Sequence, residues 1–478
     1  MRSNKSAREL LCGKRVALIG AGVSNMPLIP FIISLGGTVT VRERKSETEL
    51  GSRAEEITSA GAKLITGDGY LDGLDEDVII RSPGIRPDIP EFEAARSRGS
   101  LITSEMELFL ENAPCPVFAV TGSDGKSTTT TILSMLLSPA GDAYLGGNIG
   151  EPLFHKIYDM NGSDAAAVEL SSFQLMEADV PVEAAVITNV TPNHLNWHTG
   201  MEEYIAAKRN LLRRAGRAVL NYDNDVTRSI AEELIREGKT KVTLFSLSPV
   251  DDNTGAERVF FLDGENIMLR SADGERLLMK TSDILLPGRH NIANYMAAAG
   301  AAWDMTTPER IREVASSFGG VKHRLQLVAE VNGVRCYNSS IDSSPTRTAA
   351  ALSALTDSSP ERKIVIICGG YDKNIPFAPL AEALYECPCV KAAVLTGATR
   401  QKIRDAMDAC PADLKRGRDD LLVVTEPEFD RAVMTALSLA EAGDTVLLSP
   451  ACASFDAFPN FEVRGERFCE LVRGEVQS

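Results

Sequence analysis

No apolar run in this 478-residue chain approaches the roughly 18 residues that a membrane-spanning helix needs. The stretch Met26 to Leu35 is too short and predicts a buried helix. Lys14 to Gly22 has too brief an apolar core for the end of a signal peptide, and its glycines make better sense as a turn. Basic residues are outnumbered as well. Fifty Lys and Arg face 66 Asp and Glu, a formal charge of -16, and a nucleic-acid partner would need a basic face. The nine cysteines lie scattered, and only Cys387 and Cys389 are close, with no second pair or nearby histidine to complete a metal site. Reduced, mostly buried thiols in a cytoplasmic chain are the expectation. Sequence repeats, low-complexity tracts and coiled-coil heptads are absent too. What remains is an ordinary globular composition, 44% apolar and 24% charged, in a chain long enough for about three domains.

The most informative residues are Thr121 to Thr128, TGSDGKST. They follow the apolar run Val117 to Val120 and precede Thr129 to Leu137, which can continue as a helix. A strand, a glycine turn and a helix opening on a lysine form a phosphate cradle. The N–H groups of Gly122, Ser123, Asp124 and Gly125 face the anion, Lys126 reaches the terminal phosphates, and the Ser127 hydroxyl can ligate Mg²⁺. The usual pattern wants a glycine five positions before Gly125, where Val120 stands. The loop is therefore a shorter variant, which points away from motor and signalling NTPases.

Three α/β segments follow from the pattern, 1–103, 104–320 and 321–478. The first starts with a strand at Arg15 to Ile19, Gly20 and Gly22, a helix, and a second strand ending at Glu43, the opening of a βαβ unit. An acid about twenty positions past the glycines suggests a nucleotide site of Rossmann type, but Asn25 stands where the third glycine belongs. A strand at Val78 to Arg81 runs into Ser82-Pro83-Gly84. The second segment alternates strands (Ala165 to Leu170, Ala184 to Val190) with helices, which predicts a mainly parallel sheet. Residues 256–280 read as a β insertion. Helices are expected at His290 to Met305 and Pro308 to Phe318, with a hinge at Gly319-Gly320. The third segment begins with a hairpin turning at Asn332-Gly333. Strands at Lys363 to Cys368, Ala392 to Leu395 and Thr445 to Leu448 make it a second doubly wound unit.

Glu169 ends a predicted strand between apolar flanks, where a carboxylate suits a phosphate-bound metal. His194, just past another strand, reads equally as a ligand or a structural hydrogen-bonder, and His198 is the weaker candidate. Lys208 falls in EEYIAAKRNLLRRAG, a clear helix, where a lysine is ordinarily solvated; the residues alone assign it no role. Asn291 and Asn294, three apart at a helix start, share a face, and could either read a base edge or cap the helix.

Several of these stretches together resemble the Mur ligase family of peptidoglycan precursor synthesis: TGSDGKST, GGNIG (146–150), ELSSFQL (169–175), PGRHN (287–291) and HR (323–324). The likeness runs from about Gly13 to Leu471. LLSPACASFDAFPNFEVRGERF (447–468) resembles the branch of the family that adds D-glutamate. The resemblance implies a Rossmann-like domain for the UDP-sugar, a central ATPase and a Rossmann-like C-terminal domain for the amino acid. It implies ATP-driven joining of D-glutamate to UDP-N-acetylmuramoyl-L-alanine through an acyl phosphate. Lys126 and Ser127 would then hold phosphate and Mg²⁺, with Thr128 in the same loop. Glu169 would ligate Mg²⁺ and His194 a second Mg²⁺. Lys208 matches the family lysine that CO₂ carbamylates into a metal ligand. Asn291, Asn294 and Arg324 would contact ATP; Asn148 and Gln174 the muramoyl substrate; Ser24 and Glu43 its UDP part. His323 would lie near the D-glutamate site, and Lys373, Ser454 and Phe461 would hold D-glutamate itself.

The chain also departs from the family. Asp124 replaces a commoner asparagine, Asn193 a commoner aspartate, and NSSIDSSPTRT (338–348) a commoner NDSKATN. Ser339 thus takes an aspartate position, leaving open whether Asp342 substitutes for it and whether Ser343 meets D-glutamate. A folylpolyglutamate synthetase would share the short loop, the modified lysine and the chemistry, but lacks the first hundred residues. A non-catalytic nucleotide-binding regulator would not need Lys126, Glu169, His194 and Lys208 together. An oxidoreductase reading of Gly20 and Gly22 founders on the missing third glycine.

Overall fold

The computed structural model describes residues 6–138, 140–195, 197–286, 288–373 and 375–474. Pro287 of the PGRHN stretch and Asn196 of the histidine loop lie outside them. Alternating apolar runs and amphipathic helices give three sheets. The first has five parallel strands, β1 (Arg15–Ile19), β2 (Thr38–Glu43), β3 (Lys63–Thr66), β4 (Val78–Arg81) and β5 (Leu101–Thr103), in the order β3-β2-β1-β4-β5.

The second sheet is built around β6 (Val117–Thr121), β7 (Ala143–Gly147), β8 (Ala165–Glu169), β9 (Pro181–Ile187), β10 (Arg214–Asn221), β11 (Lys241–Ser246) and β12 (Arg258–Asp263), all parallel. Antiparallel β13 (Asn266–Ser271) and β14 (Gly274–Lys280) complete it. The expected β insertion is thus a continuation of the main sheet's edge. Strands β6 and β8 are buried on both faces, as parallel strands covered by helices must be, so their sequences are continuous apolar runs. Six strands, β3, β5, β7, β10, β11 and β19 (Leu422–Thr425), are not among those the sequence pattern predicts. The stretch EEYIAAKRNLLRRAG is also not all helix: the helix Met201–Arg209 passes into a 3-10 turn at Asn210–Leu212, and β10 already starts at Arg214.

The third sheet orders β15 (Gln326–Val331), β16 (Val334–Asn338), β17 (Ile364–Gly369), β18 (Val390–Thr396), β19 (Leu422–Thr425) and β20 (Thr445–Leu448) as β15-β16-β20-β17-β18-β19. Its first pair is the expected hairpin, with Asn332 and Gly333 both at positive φ; the other pairings are parallel. The chain forms two compact units, residues 1–283 with 292–314, and residues 284–291 with 315–478. The first unit contains the first two sheets, and one apolar cluster joins Leu18 and Ile80 to Ala119 and Leu220. The second unit has separate clusters on the two faces of the third sheet. All nine cysteines are free, most of them buried. No helix among the described residues is long and apolar enough to cross a membrane.

Candidate active site

The TGSDGKST loop leaves the carboxyl end of β6 at the centre of the second sheet, where α/β sheets collect ligands. Two glycines give it its shape. Gly122 has φ +149, and a Cβ there would lie 1.9 Å from Thr188 Oγ1; Gly125 has φ +78, and a Cβ would lie 2.4 Å from Asn294 Oδ1. Only glycine fits either position without displacing a neighbour. The helix Lys126–Leu136 starts directly on Gly125, so its first N–H groups face the loop's concavity. Lys126 Nζ donates to the Ser123 carbonyl at 2.8 Å, folded against its own loop. The loop is braced from behind, where Thr188 Oγ1 donates to the Asp124 carbonyl at 2.6 Å. The N–H groups of Ser123 and Asp124, expected to face the anion, instead donate to the Asn189 carbonyl at 2.9 Å and to Asn189 Oδ1 at 3.0 Å, so the anion is left to the N–H groups at the helix start. Asn294 accepts from Thr129 Oγ1 at 3.1 Å, so this amide faces the phosphate helix.

Glu169 ends β8 beside the loop and is 1% exposed. One carboxylate oxygen accepts from Asn148 Nδ2 at 2.8 Å, and the other is buried with no partner. A buried carboxylate oxygen without a donor is costly, and a cation resolves that cost. His194, at φ +54, packs its ring edge-on to Phe173 at 5.0 Å. Burial first, then the charges of Lys126 and Lys208, lower its pKa, leaving the neutral imidazole that a metal requires.

Lys208 overturns the solvated-helix expectation. It is 2% exposed, donates to the Gly122 carbonyl at 2.7 Å, and lies 4.4 Å from the centre of the Tyr204 ring. Burial, followed by repulsion from Lys126, pushes its pKa down to about 7. Much of it is then the neutral amine at physiological pH, the form able to take up CO₂. Lys126, Glu169, His194 and Lys208 thus come together at one loop. Among the described residues no three or more His, Cys, Asp or Glu side chains form a metal cluster. A cation here would draw on mixed donors, the Ser127 hydroxyl, the second Glu169 oxygen and His194, and the orphaned Glu169 oxygen fits that set.

Other candidates are tied to their own surroundings. Gln174 Oε1 accepts from the Ser171 N–H and hydroxyl, both at 2.8 Å, which closes the ELSSFQL loop on itself. Glu43 Oε2 accepts from the Ala21 N–H at 2.8 Å and so braces the glycine turn. Asn25, in the third-glycine position, donates to the Ile19 and Gly20 carbonyls and to Ser82 Oγ. Ser24 is half-buried on that turn.

The second unit carries Asn291, His323, Arg324, Lys373, Ser454 and Phe461. His323 has φ +62 and sits on Gly465, where a Cβ would come within 2.1 Å of its Nδ1. Nδ1 accepts from Asn338 Nδ2 at 3.0 Å, which leaves the proton on Nε2; burial keeps the ring's pKa low. The Phe461 ring lies 6.1 Å away, edge-on. Lys373 and Arg324 are exposed and Ser454 is buried, and the Tyr371–Ala453 bridge brings the chain around Lys373 next to that around Ser454. Asp342 faces inward, accepting from Ser449 Oγ at 2.9 Å and bonded to Ser339, with burial raising its pKa. Sequence reasoning missed Arg464. Buried in the helix Phe461–Arg473, it donates to Ser340 Oγ and to the carbonyls of Ser340, Cys452 and Ala453. It thereby ties the 338–348 stretch to the SPACAS turn, and nothing in the helical pattern sets it apart from a surface arginine.

Fold and site together define the class. The Mur ligase middle domain matches residues 120–302, and the Mur ligase glutamate ligase domain matches residues 323–452. A solved UDP-N-acetylmuramate-alanine ligase from Thermotoga maritima shares the fold at 17% identity, with a TM-score of 0.55 over 97% of this chain and all of that one. The particular group follows from closer relatives. The UDP-N-acetylmuramoylalanine--D-glutamate ligase of Clostridium novyi is 43% identical over 470 residues, 97% of this chain and 98% of its own. That of Acetivibrio thermocellus is 43% identical over 97% of both chains. This chain belongs to the Mur ligase family, in the group of UDP-N-acetylmuramoylalanine--D-glutamate ligases.

Proposed function

We propose that the protein joins D-glutamate to UDP-N-acetylmuramoyl-L-alanine at the expense of ATP, in the cytoplasmic synthesis of peptidoglycan precursors on which cell shape and division depend. What supports this reading most is the convergence of Lys126, Glu169, His194 and Lys208 on one short phosphate loop, with a Glu169 oxygen left for a cation. The physical problem is the meeting of two anions, the alanyl carboxylate and the γ-phosphate. Lys126 neutralises charge on the transferred phosphoryl group, and the N–H groups at the start of the helix Lys126–Leu136 hold it in line for attack. The resulting acyl phosphate is attacked by the amine of D-glutamate, and a tetrahedral intermediate expels phosphate.

Bound Mg²⁺, in two sites, would supply further charge neutralisation, held by Ser127 and Glu169 in one and by His194 and a carbamylated Lys208 in the other. Asn148 and Gln174 would meet the muramoyl group, Ser24 and Glu43 the UDP part, and Asn291, Asn294 and Arg324 the nucleotide. Lys373, Ser454 and Phe461 would hold D-glutamate, with His323 beside them. The three sheets would serve as three domains, 1–103, 104–320 and 321–478, turning about Ser104 and Gly319-Gly320 to exclude water from the acyl phosphate. The test is ADP release with ATP, Mg²⁺, UDP-N-acetylmuramoyl-L-alanine and D-glutamate, each omitted in turn. The reading expects sustained release only with all four; equal release without the sugar nucleotide would defeat it.

A further inference from the structure

His198 is a buried histidine that the ligase chemistry leaves unused. It follows His194 by one turn, and its backbone N–H donates to the His194 carbonyl at 3.1 Å. The residue is 3% exposed. Both ring nitrogens are engaged, Nδ1 at 3.0 Å from Glu203 Oε2 and Nε2 at 2.9 Å from Ser172 Oγ. A carboxylate can only accept, so Nδ1 carries the proton and the Ser172 hydroxyl donates to Nε2. Glu203 is gripped in turn by Arg86, whose Nη2 reaches Oε1 at 2.8 Å and whose Nη1 reaches Oε2 at 3.2 Å.

Serine, histidine and carboxylate in that order are the parts of a hydrolase triad, in which the serine oxygen must reach a substrate carbonyl. Here Ser172 is itself 3% exposed, so its oxygen is closed to such a carbonyl. The order therefore serves position. Ser172 belongs to the loop that follows Glu169, the last residue of β8, and carries Gln174. Glu203 lies in the first turn of the helix Met201–Arg209, which carries Lys208. One imidazole thus bonds the loop of the phosphate-side carboxylate to the helix of the buried lysine.

We propose that His198 is a positioning residue that holds the Glu169 loop and the Lys208 helix at one fixed spacing. This rests on the ligase reading above. A phosphoryl-transfer site tolerates little misplacement, and a shift of about 1 Å costs on the order of a hundredfold in rate. The test compares His198→Ala, His198→Asn and His198→Gln in the full chain. Asparagine places its amide near the position of Nδ1 and keeps the Glu203 bond; glutamine reaches the position of Nε2 and keeps the Ser172 bond. His198→Ala should lose roughly ten- to a hundredfold in kcat, with the KM for the sugar nucleotide nearly unchanged. The two amides should fall between alanine and wild type. Apart from turnover, Mn²⁺ affinity in the presence of ADP, read by electron paramagnetic resonance, should weaken several-fold in His198→Ala.

If His198→Ala does not fold, Ser172→Ala removes one bond while keeping the ring, and should shift kcat and Mn²⁺ affinity in the same direction. A folded His198→Ala or Ser172→Ala with wild-type kcat and Mn²⁺ affinity would overturn the proposal. Labelling of Ser172 by a fluorophosphonate would also overturn it, by revealing an accessible nucleophile. A wild-type enzyme that fails to ligate D-glutamate would sink the ligase reading instead, and the Mn²⁺ comparison would still decide the role of His198.

Discussion

Replacing Glu105 by glutamine should change how stability depends on pH, in a direction the structure dictates. Glu105 opens the helix Glu105–Asn112 just past Ser104, and its Oε1 accepts from the N–H groups of Leu153 and Phe154, both at 2.8 Å. These donors lie just beyond the GGNIG turn that carries Asn148. Burial raises the carboxyl pKa from 4.5 to about 7, against the opposing pull of the two amides. A pKa higher in the folded state than in the unfolded one gives stability that is complete below the unfolded value. That stability is lost as pH climbs through about 7. The gap between 4.5 and about 7 amounts to roughly 3 kcal/mol in all. Between about pH 6 and about pH 8.5 the wild type should lose about 1.4 kcal/mol through this group. Glutamine keeps an acceptor for both amides and never ionises. Its NH₂ group, if left without a partner, costs about 1–3 kcal/mol, but equally at both pH values. Urea unfolding of both proteins at the two pH values measures the difference directly. The gap between wild type and Glu105→Gln should move in the glutamine's favour by about 1.4 kcal/mol on going to the higher pH. Parallel pH profiles would refute the assignment of a buried, protonatable Glu105.

Lys126→Ala should leave the fold intact and cut acyl phosphate formation on the order of a hundredfold or more; near-normal turnover would make the loop a structural turn only. Lys208→Ala should be nearly inactive, with a short carboxylic acid in the buffer restoring part of the rate by filling the vacated space. Arginine at 208 should not help, because it keeps its charge and cannot take up CO₂. Normal turnover of Lys208→Ala in CO₂-depleted buffer would contradict a carbamate role. Gly465→Ala places a Cβ within 2.1 Å of His323 Nδ1. It should cost about 1–3 kcal/mol of stability and raise the KM for D-glutamate; no change in either would mean that the ring has room to move.

The phosphate loop was legible in the sequence because its residues act through local geometry: a buried strand, two turn glycines and a lysine at a helix start sit within ten positions, Val117 to Lys126. Glu169 was legible for a similar reason, as an acid at the end of an apolar strand. Lys208 was not. Helical spacing says nothing about the Gly122 carbonyl and the Tyr204 ring that enclose its amine. Only the resemblance assigned it a role. Arg464 escaped for the same physical reason, since it bonds to Ser340, 124 positions away; the bond from His198 to Ser172, 26 positions back, was hidden likewise. Strand β10 was lost because the preceding helical pattern runs on through Arg213 and Arg214 into its first residues. In the second unit, the inward turn of Asp342 depends on Ser449, more than a hundred residues away. The variant 338–348 stretch could not have been read without it.

The central claim, that this site adds D-glutamate, is tested most directly by mass spectrometry of the product formed from UDP-N-acetylmuramoyl-L-alanine and ATP. D-Glutamate, L-glutamate, L-lysine and meso-diaminopimelate would be offered in separate reactions. The account predicts a single amide product, carrying one added D-glutamyl group and matched by stoichiometric ADP. Comparable product from L-glutamate, L-lysine or meso-diaminopimelate would contradict it.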